Sequence, residues 1–533
     1  MSEVDVVVIG SGAAGLAAAL AAAHGGASVL VLEASSRWGG STAVSGGQVW
    51  VPANPWMAAA GFDDSPEEAL TYCETAAPGR DSELVRRFLQ AAPLMARFLE
   101  DRTPLRFSAV PAYPETFVEL PGGKPARHIE TGPVAVGDLG DAGELLWPAP
   151  LFEPVLTNQE IFEHRLFAGG PPPLDLIARR KALGVVTLGA GLVVGLLHGC
   201  HAAGVDLIRD RRVTELSCEE SGRVVGVRTA EDRTVIARRG VVLASGGFEH
   251  DTRLRSRLLS GPLTHPVTPP IQHGDGIRLA GAVGAALEYT AEYWSWPACQ
   301  VPGRVWPDAE ATPQPQLVLP ERSLPHTLWV NSAGRRFVNE SSHNCALVFA
   351  DLDPNTHRPR NLPAWTIGDA QFRAKYPVAG IPAGAPAPDW LIRADTVAEL
   401  AERIDVDPIA LQHTVTRFNT MAAAGRDDDF HRGQTRYEHA FGDATAPNPN
   451  LGPVTEPPFF ALPVHPGAVG TKGGARIDRD ARVLDWHDRP IPGLYAAGNS
   501  AAAVFGPGTF AGGLTIASAL TWGWIAGNHL TSA

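Results

Sequence analysis

The chain has 533 residues, 44% of them hydrophobic and 19% charged, and a formal net charge of −13. That length exceeds a single core and points to about three domain-sized units of an ordinary soluble globular protein. An acidic chain without a basic stripe is a poor ligand for nucleic acid or for an anionic membrane surface.

Val4–Ile9, rich in β-branched residues, predicts a buried parallel strand. The turn Gly10-Ser11-Gly12-Ala13-Ala14-Gly15 follows at once, then an Ala-rich helix over Leu16–Ala23 and a second apolar strand over Ala27–Leu32 ending at Glu33. This is a β-α-β unit built for a dinucleotide. Gly10 allows the tight turn, Gly12 lets the backbone approach a pyrophosphate, and Gly15 lets helix and strand pack closely. The helix N-terminus offers free N–H groups to phosphate, and Glu33 lies where a carboxylate accepts from ribose hydroxyls. A second glycine cluster, Gly39-Gly40-Ser41-Thr42 and Ser45-Gly46-Gly47, suits a backbone wrapped around a longer cofactor and favours FAD over NAD. With no basic region before the first strand, residues 1–20 read as part of the fold and not as a signal peptide.

Residues 104–173 are Pro-rich but carry aromatic and apolar residues, so they read as ordered excursions. Leu183–Leu197 is apolar yet interrupted by Gly184, Gly189, Gly191 and Gly195, which predicts a buried helix and no transmembrane segment. A helix over Leu192–Ala203 is expected, then strands at Val205–Ile208 and Val213–Leu216, a hairpin of Val224–Thr229 with Thr234–Ala237, and a separate buried strand at Val241–Ala244 before Ser245-Gly246-Gly247. Residues of roughly 290–455 are rich in Trp and Pro, with helices at Thr396–Arg403 and Ile409–Ala422, and read as a cap over the cofactor. The chain returns to the first sheet at Leu494–Asn499, and a last helix is expected from near Gly513 to about Asn528. Five scattered cysteines without CxxC spacing point to the reducing cytoplasm.

The segments VVVIGSGAAGLAAAL, GGSTAVSGGQVWVPAN, VELPGGK, VVLASGGFE, VNSAGRRFVNESS, GTKGGARID and PIPGLYAAGNSAAAVFG span nearly the whole chain. In them the sequence resembles flavoproteins of the fumarate reductase and 3-ketosteroid dehydrogenase superfamily, on the ketosteroid dehydrogenase side. The resemblance implies an α/β fold: a bipartite Rossmann-like FAD-binding domain (residues 1–289 and 457–533) with an inserted α+β catalytic cap (290–456). It implies non-covalent FAD held by Gly10, Gly12, Ala13, Ala14, Gly15, Glu33, Ala34, Gly40, Ser41, Thr42, Ser45, Gly46, Gly47, Val213, Ser245, Gly246, Gly498, Asn499, Gly513, Leu514 and Thr515.

The substrate side matches less well. The His pair that fumarate reductases carry after the Pro-Gly is absent from Pro466-Gly467-Ala468-Val469. The three tyrosines of the ketosteroid dehydrogenases fall on Phe117, Asn344 and Thr509, so Δ1-desaturation of ordinary 3-ketosteroids is expected to be weak. Dehydrogenation beside a ketone needs a base at the α-carbon, donors at the carbonyl oxygen and a hydride acceptor. The candidates are the Gly513 N–H as carbonyl donor, His465 or Tyr293 as acid/base, and His343 and Asn344 as hydrogen-bonding substrate ligands, with Tyr113 behind them. Arg335 and Arg336 read as braces of the cap, and no metal site is expected.

The expected activity is that of an FAD-dependent oxidoreductase acting on a CH–CH bond next to a ketone of an apolar cyclic substrate, as desaturation or as the reverse ene reduction. It requires an external electron acceptor or donor. The competing readings are a soluble fumarate-reductase-like reductase of α,β-unsaturated acids, marked by an Arg and His pair over the flavin, and a decayed flavin-binding protein, marked by a blocked flavin face.

Overall fold

The computed structural model describes residues 2–79, 81–137, 139, 146–149 and 153–532. Its first sheet grows from the β-α-β unit. β1 (Ser2–Ile9) runs into the glycine turn, α1 (Ala13–His24) follows, and β2 (Val29–Leu32) lies parallel to β1. α2 (Leu188–Ala202) leads to β3 (Asp206–Ile208), which lies parallel to β2. α2 takes in only Leu188–Leu197 of the apolar, Gly-interrupted run and is buried along almost its whole length; Leu183 and Gly184 instead form an exposed turn before the short strand Val185–Val186, because the left-handed Gly184 ends the preceding helix.

β4 (Val213–Cys218), β5 (Val224–Thr229) and β6 (Thr234–Leu243) form an antiparallel meander, and β6 ends parallel to β1. The sequence suggested two strands where β6 is one. Arg238 and Arg239 interrupt the apolar pattern, but Arg238 reaches across to β1 and pairs with Asp5 at 3.0 Å and Glu3 at 3.4 Å. Pairing of this kind lets charged residues occupy a strand exposed on that face.

The second sheet contains β7 (Tyr293–Cys299), β8 (Gln316–Leu317), β9 (Thr327–Asn331), β10 (Ala364–Gly368) and β11 (Ile392–Ala394). α3 (Val397–Arg403) and α4 (Pro408–Ala423) follow, capped by the side chains of Thr396 and Asp407, with Pro408 at the first helical position. β12 (Phe459–Thr471) is the spine of this sheet: the order is β8-β7-β12-β10-β9, and β11 and the short strand His265–Pro266 also pair with β12. Leu400, Leu411, Val415 and Phe418 of α3 and α4 pack on Leu328, Val330 and Ile367. The sheet therefore extends to residues on both sides of the 290–456 segment.

The chain then rejoins the first sheet through β13 (Arg482–Leu484) and β14 (Pro490–Ala496), the latter parallel to β6. Among the described residues that sheet has eight strands, ordered β13-β14-β6-β1-β2-β3, with β5 also paired to β6 and β4 to β5. α5 (Leu514–Ser532) lies against α1. The two helices approach closely: a Cβ on Gly523 would lie 2.2 Å from the Ala14 carbonyl oxygen, and one on Gly527 2.3 Å from that of Ala18. The fold is thus the expected mixed helix and sheet architecture. Among the described residues no helix is long and apolar enough to cross a membrane, and no three or more His, Cys, Asp or Glu side chains gather as a metal site.

Candidate active site

One cavity runs from Glu33 at the end of β2 to Phe441 under the second sheet. Its first part is built by backbone. Gly10 has φ +106°, and a Cβ there would meet the Ala244 carbonyl oxygen at 2.4 Å. At Gly12 a Cβ would have only Thr42 Oγ1 at 3.6 Å and Gly39 O at 3.9 Å within contact, so the turn opens toward the cavity in front of α1. Glu33 is buried, which raises its carboxyl above the ordinary value; Oε2 accepts from the Ser11 N–H at 2.9 Å and hydroxyl at 2.6 Å, and Oε1 accepts from the Ser35 N–H. A carboxylate holding three donors retains a lone pair for a ribose hydroxyl. Further along, Gln272 Oε1 is buried in the cavity wall without a partner, beside Ser41 and Gly246, and fits a hydroxyl-bearing chain.

All the cofactor positions expected from the sequence line this cavity except Gly15 and Gly47. Both glycines permit close backbone packing. A Cβ on Gly15 would lie 1.9 Å from the Gly10 carbonyl oxygen, and one on Gly47 2.3 Å from the backbone of Leu188. The residues present thus fit an FAD, with the glycine turn and Glu33 of the first sheet suited to its pyrophosphate and adenosine ribose. Glu33, Arg211 and Asp275 are the charged residues among the described lining, and the site of Arg211 and Asp275 is beside β4, at the Glu33 end.

The other end is walled by Trp294 and Trp296 of β7, Leu317, Leu319, Phe441, Tyr113, His343 and the backbone at Gly512 and Gly513. Gly513 has φ +68° and a Cβ there would strike the Gln48 carbonyl oxygen at 2.5 Å, so the position requires glycine. It immediately precedes α5, whose first turn carries N–H groups without intrahelical acceptors.

Two of the acid/base candidates sit elsewhere. Strand alternation, with a register shift between Tyr293 and Ser295, turns Trp294 and Trp296 inward and Tyr293 outward. The Tyr293 hydroxyl donates to the Pro262 carbonyl at 3.0 Å, among Leu259, Leu263 and Ala468. His465 on β12 stacks on His265, with ring centroids 3.9 Å apart, and lies outside the cavity lining. Asn344 is also behind the wall: its Nδ2 donates to the carbonyl of Thr509, which does line the cavity. Arg336 braces the cap through Glu340 at 2.8 Å and Asp427 at 2.9 Å.

His343 and Tyr113 face the cavity. His343 Nδ1 lies 2.8 Å from the Tyr437 hydroxyl, and burial, helped by Arg322, His128 and Lys472, pulls its imidazole down to about 3. It is neutral at physiological pH. Tyr113, which the sequence ranks behind the other candidates, brings a phenol to the cavity, whereas Phe117 packs on the main core. A Cβ on Gly512 would fall 2.4 Å from the Tyr113 hydroxyl, so that glycine makes the room the phenol occupies. Phe441 and Phe162 meet the ring edge-to-face, and burial holds its hydroxyl well above the ordinary tyrosine value. Lys472 is held by the carbonyls of Pro507 and Gly508 and lies 4.3 Å over the Trp294 ring, fixing the loop before Thr509.

A protein family described as FAD binding domain matches residues 5–516. The chain is 38% identical over 566 residues to the 3-oxosteroid 1-dehydrogenase of Mycobacterium tuberculosis, covering 99% of this chain and 98% of that protein. It is also 38% identical to the 4-oxocyclohexanecarboxylate 2-dehydrogenase of Sinomonas cyclohexanicum, covering 99% and 93%. The structure is similar to that of the 3-ketosteroid delta1-dehydrogenase of Sterolibacterium denitrificans in complex with 1,4-androstadiene-3,17-dione, with a TM-score of 0.93, 34% identity and 100% of each chain covered.

Proposed function

We propose that this chain, which belongs to the FAD binding domain family and is an FAD-dependent oxidoreductase acting on CH–CH groups beside a ketone, takes a neutral, apolar cyclic ketone and desaturates it. The observation that carries the choice of substrate is the lining of the cavity's far end. Trp294, Trp296, Leu317, Leu319 and Phe441 form its walls, and among the described residues there no Arg or Lys meets the cavity. A ketoacid would bring a carboxylate into that apolar space with no cation to pair it, which is costly. The same lack disfavours an unsaturated-acid reductase.

Gly10, Gly12, Glu33, Thr42, Gly498, Asn499 and Thr515 would hold the cofactor, which when bound supplies a two-electron acceptor for hydride. The chain's own residues do the rest. The aromatic walls exclude water and orient the ring. The Gly513 N–H, at the positive end of α5, donates to the ketone oxygen as enolate charge develops. Tyr113 Oη takes the α-proton as a phenolate. The β-carbon loses hydride, so one C=C bond forms and two C–H bonds break. In the reverse direction the protonated Tyr113 returns that proton to the α-carbon. After desaturation an external acceptor removes the electrons, and in the reverse direction an external donor supplies them.

The strand pairing of β12 supports a cap built mainly from residues 290–456 and closed by β12 itself. The five free cysteines suit a reducing cytoplasm.

The test is anaerobic mixing of the FAD-loaded protein with 4-alkylcyclohexanones, a 3-ketosteroid and 4-oxocyclohexanecarboxylate while flavin absorbance is followed. Bleaching by the 4-alkylcyclohexanones ahead of both the carboxylate and the steroid is expected. Preferential bleaching by the carboxylate overturns the neutral-substrate reading, and no bleaching by any neutral ketone overturns the substrate class.

A further inference from the structure

Behind the wall formed by Trp296 and His343 lies a fully buried arginine, Arg322. Among the described residues no carboxylate comes within ion-pair distance of it. Its Nη1 donates to the backbone carbonyls of Ser342 at 2.6 Å, Ser341 at 3.3 Å and Glu340 at 3.4 Å, and its Nη2 donates to the Tyr437 hydroxyl oxygen at 3.4 Å. Tyr437 in turn is 2.8 Å from His343 Nδ1. All three side chains are buried, and His343 is the member of the group that meets the cavity.

Direction in this chain follows from the chemistry of its first member. A guanidinium has donors only, so the Tyr437 oxygen must accept from Arg322. The hydroxyl hydrogen of Tyr437 then needs an acceptor in a site closed to water. His343 Nδ1 is in range, and an imidazole nitrogen accepts better than the phenolic oxygen of Tyr113, which also approaches Tyr437. Were the proton instead on His343 Nδ1, the Tyr437 oxygen would accept twice and its buried hydrogen would lose that partner. From this geometry we infer that Arg322 and Tyr437 are positioning residues that fix His343 in the Nε2–H tautomer, so that His343 presents a hydrogen-bond donor, not a base, to the substrate oxygen. Among the described residues Nε2 has no hydrogen-bond partner, and the ring lines the cavity. Arg322 also opposes a second positive charge on that ring, so the imidazole acts as a neutral electrophile. With the Gly513 N–H it makes two donors for one developing enolate oxygen.

The inference rests on reading the cavity as a ketone site, but its first test does not. In FAD-loaded protein carrying 15N-labelled histidine, the His343 ring signals are assigned by their loss in His343→Gln. They should show a protonated Nε2 and a bare Nδ1, and Tyr437→Phe should shift the population toward the other tautomer. A protonated Nδ1 in the unsubstituted protein overturns the inference, whatever the substrate proves to be. The second test separates donor from base. His343→Gln keeps an N–H but cannot take a proton, so its flavin-reduction rate should exceed that of His343→Ala by at least tenfold, with the alanine variant down about 10²–10³-fold from wild type. Equal loss in the two variants overturns the donor role.

Discussion

The Asn344 side-chain amide donates to the Thr509 carbonyl at 2.8 Å. These are the two positions where the family resemblance places tyrosines, and here they hold each other instead of a substrate. The loop before α5 is thereby tied to the cap, and two phenols are absent. Δ1-desaturation of 3-ketosteroids should therefore run at least about 100-fold slower than desaturation of a neutral monocyclic ketone, the contribution expected of one acid–base group. Product analysis with an artificial electron acceptor measures both rates; equal rates would contradict this.

Tyr113→Phe should lower the rate of flavin reduction about 10²–10⁴-fold while leaving FAD bound. The pH dependence has a definite sign. The phenol is protonated at neutral pH and burial pushes it above its ordinary 10.0, so the oxidative rate should climb with pH without a plateau below that value. His343, pulled down to about 3, should leave no inflection in the range where an ordinary histidine titrates. Stopped-flow reduction across pH 5 to 10, as a practical span of about five units, checks both points.

His465→Ala and Tyr293→Phe should leave the rate of flavin reduction unchanged, because both side chains turn away from the cavity. Tyr293→Phe should cost about 0.5–1.5 kcal/mol of stability through its lost bond to Pro262. A large fall in flavin reduction for either variant would return that residue to the chemistry.

Glu33→Ala should weaken FAD binding by about 1.5–3 kcal/mol, as it removes a charged acceptor. It also strands the Ser11 and Ser35 donors that shape the turn. Fluorescence titration of the apoprotein reads the change, and an unaltered dissociation constant would remove Glu33 from the site.

Glu249, wholly buried with Oε2 unpartnered and Oε1 accepting from Thr268, is pushed up to about 7 by desolvation. Its folded value lies above its unfolded one, so its protonated form favours the fold. That contribution is complete below the unfolded value and is lost as pH rises through about 7. Glu249→Gln should then stabilise the fold at pH 8 more than at pH 5, by roughly 1–3 kcal/mol, read as a larger rise in melting temperature at pH 8. Equal shifts at both pH values would show that Glu249 is already charged in the fold.

The dinucleotide end was legible because its chemistry is local. Gly10, Gly12 and Glu33 act through a turn and a strand end whose geometry follows from a few adjacent residues. The substrate end depends on parity and on distance along the chain. Tyr293 and Trp294 differ by one position and face opposite ways, and a register shift beside them hides that parity from any pattern of alternation. His465 was placed near the flavin by its neighbours Pro466 and Gly467, but its ring faces His265. Tyr437 and Arg322 reach His343 only after the cap has folded, through contacts spanning up to 115 positions, and no motif announces them.

The packing of α5 on α1 brings Gly498, Gly513 and Thr515 into one wall with Gly10, Gly12 and Thr42. A ribosome delivers these two halves of the wall far apart in time. Until the later half has left the exit tunnel, the nascent first sheet exposes a glycine turn with nothing opposite it. The complete cofactor wall thus exists only once α5 has been made, which places full FAD capture late in biogenesis.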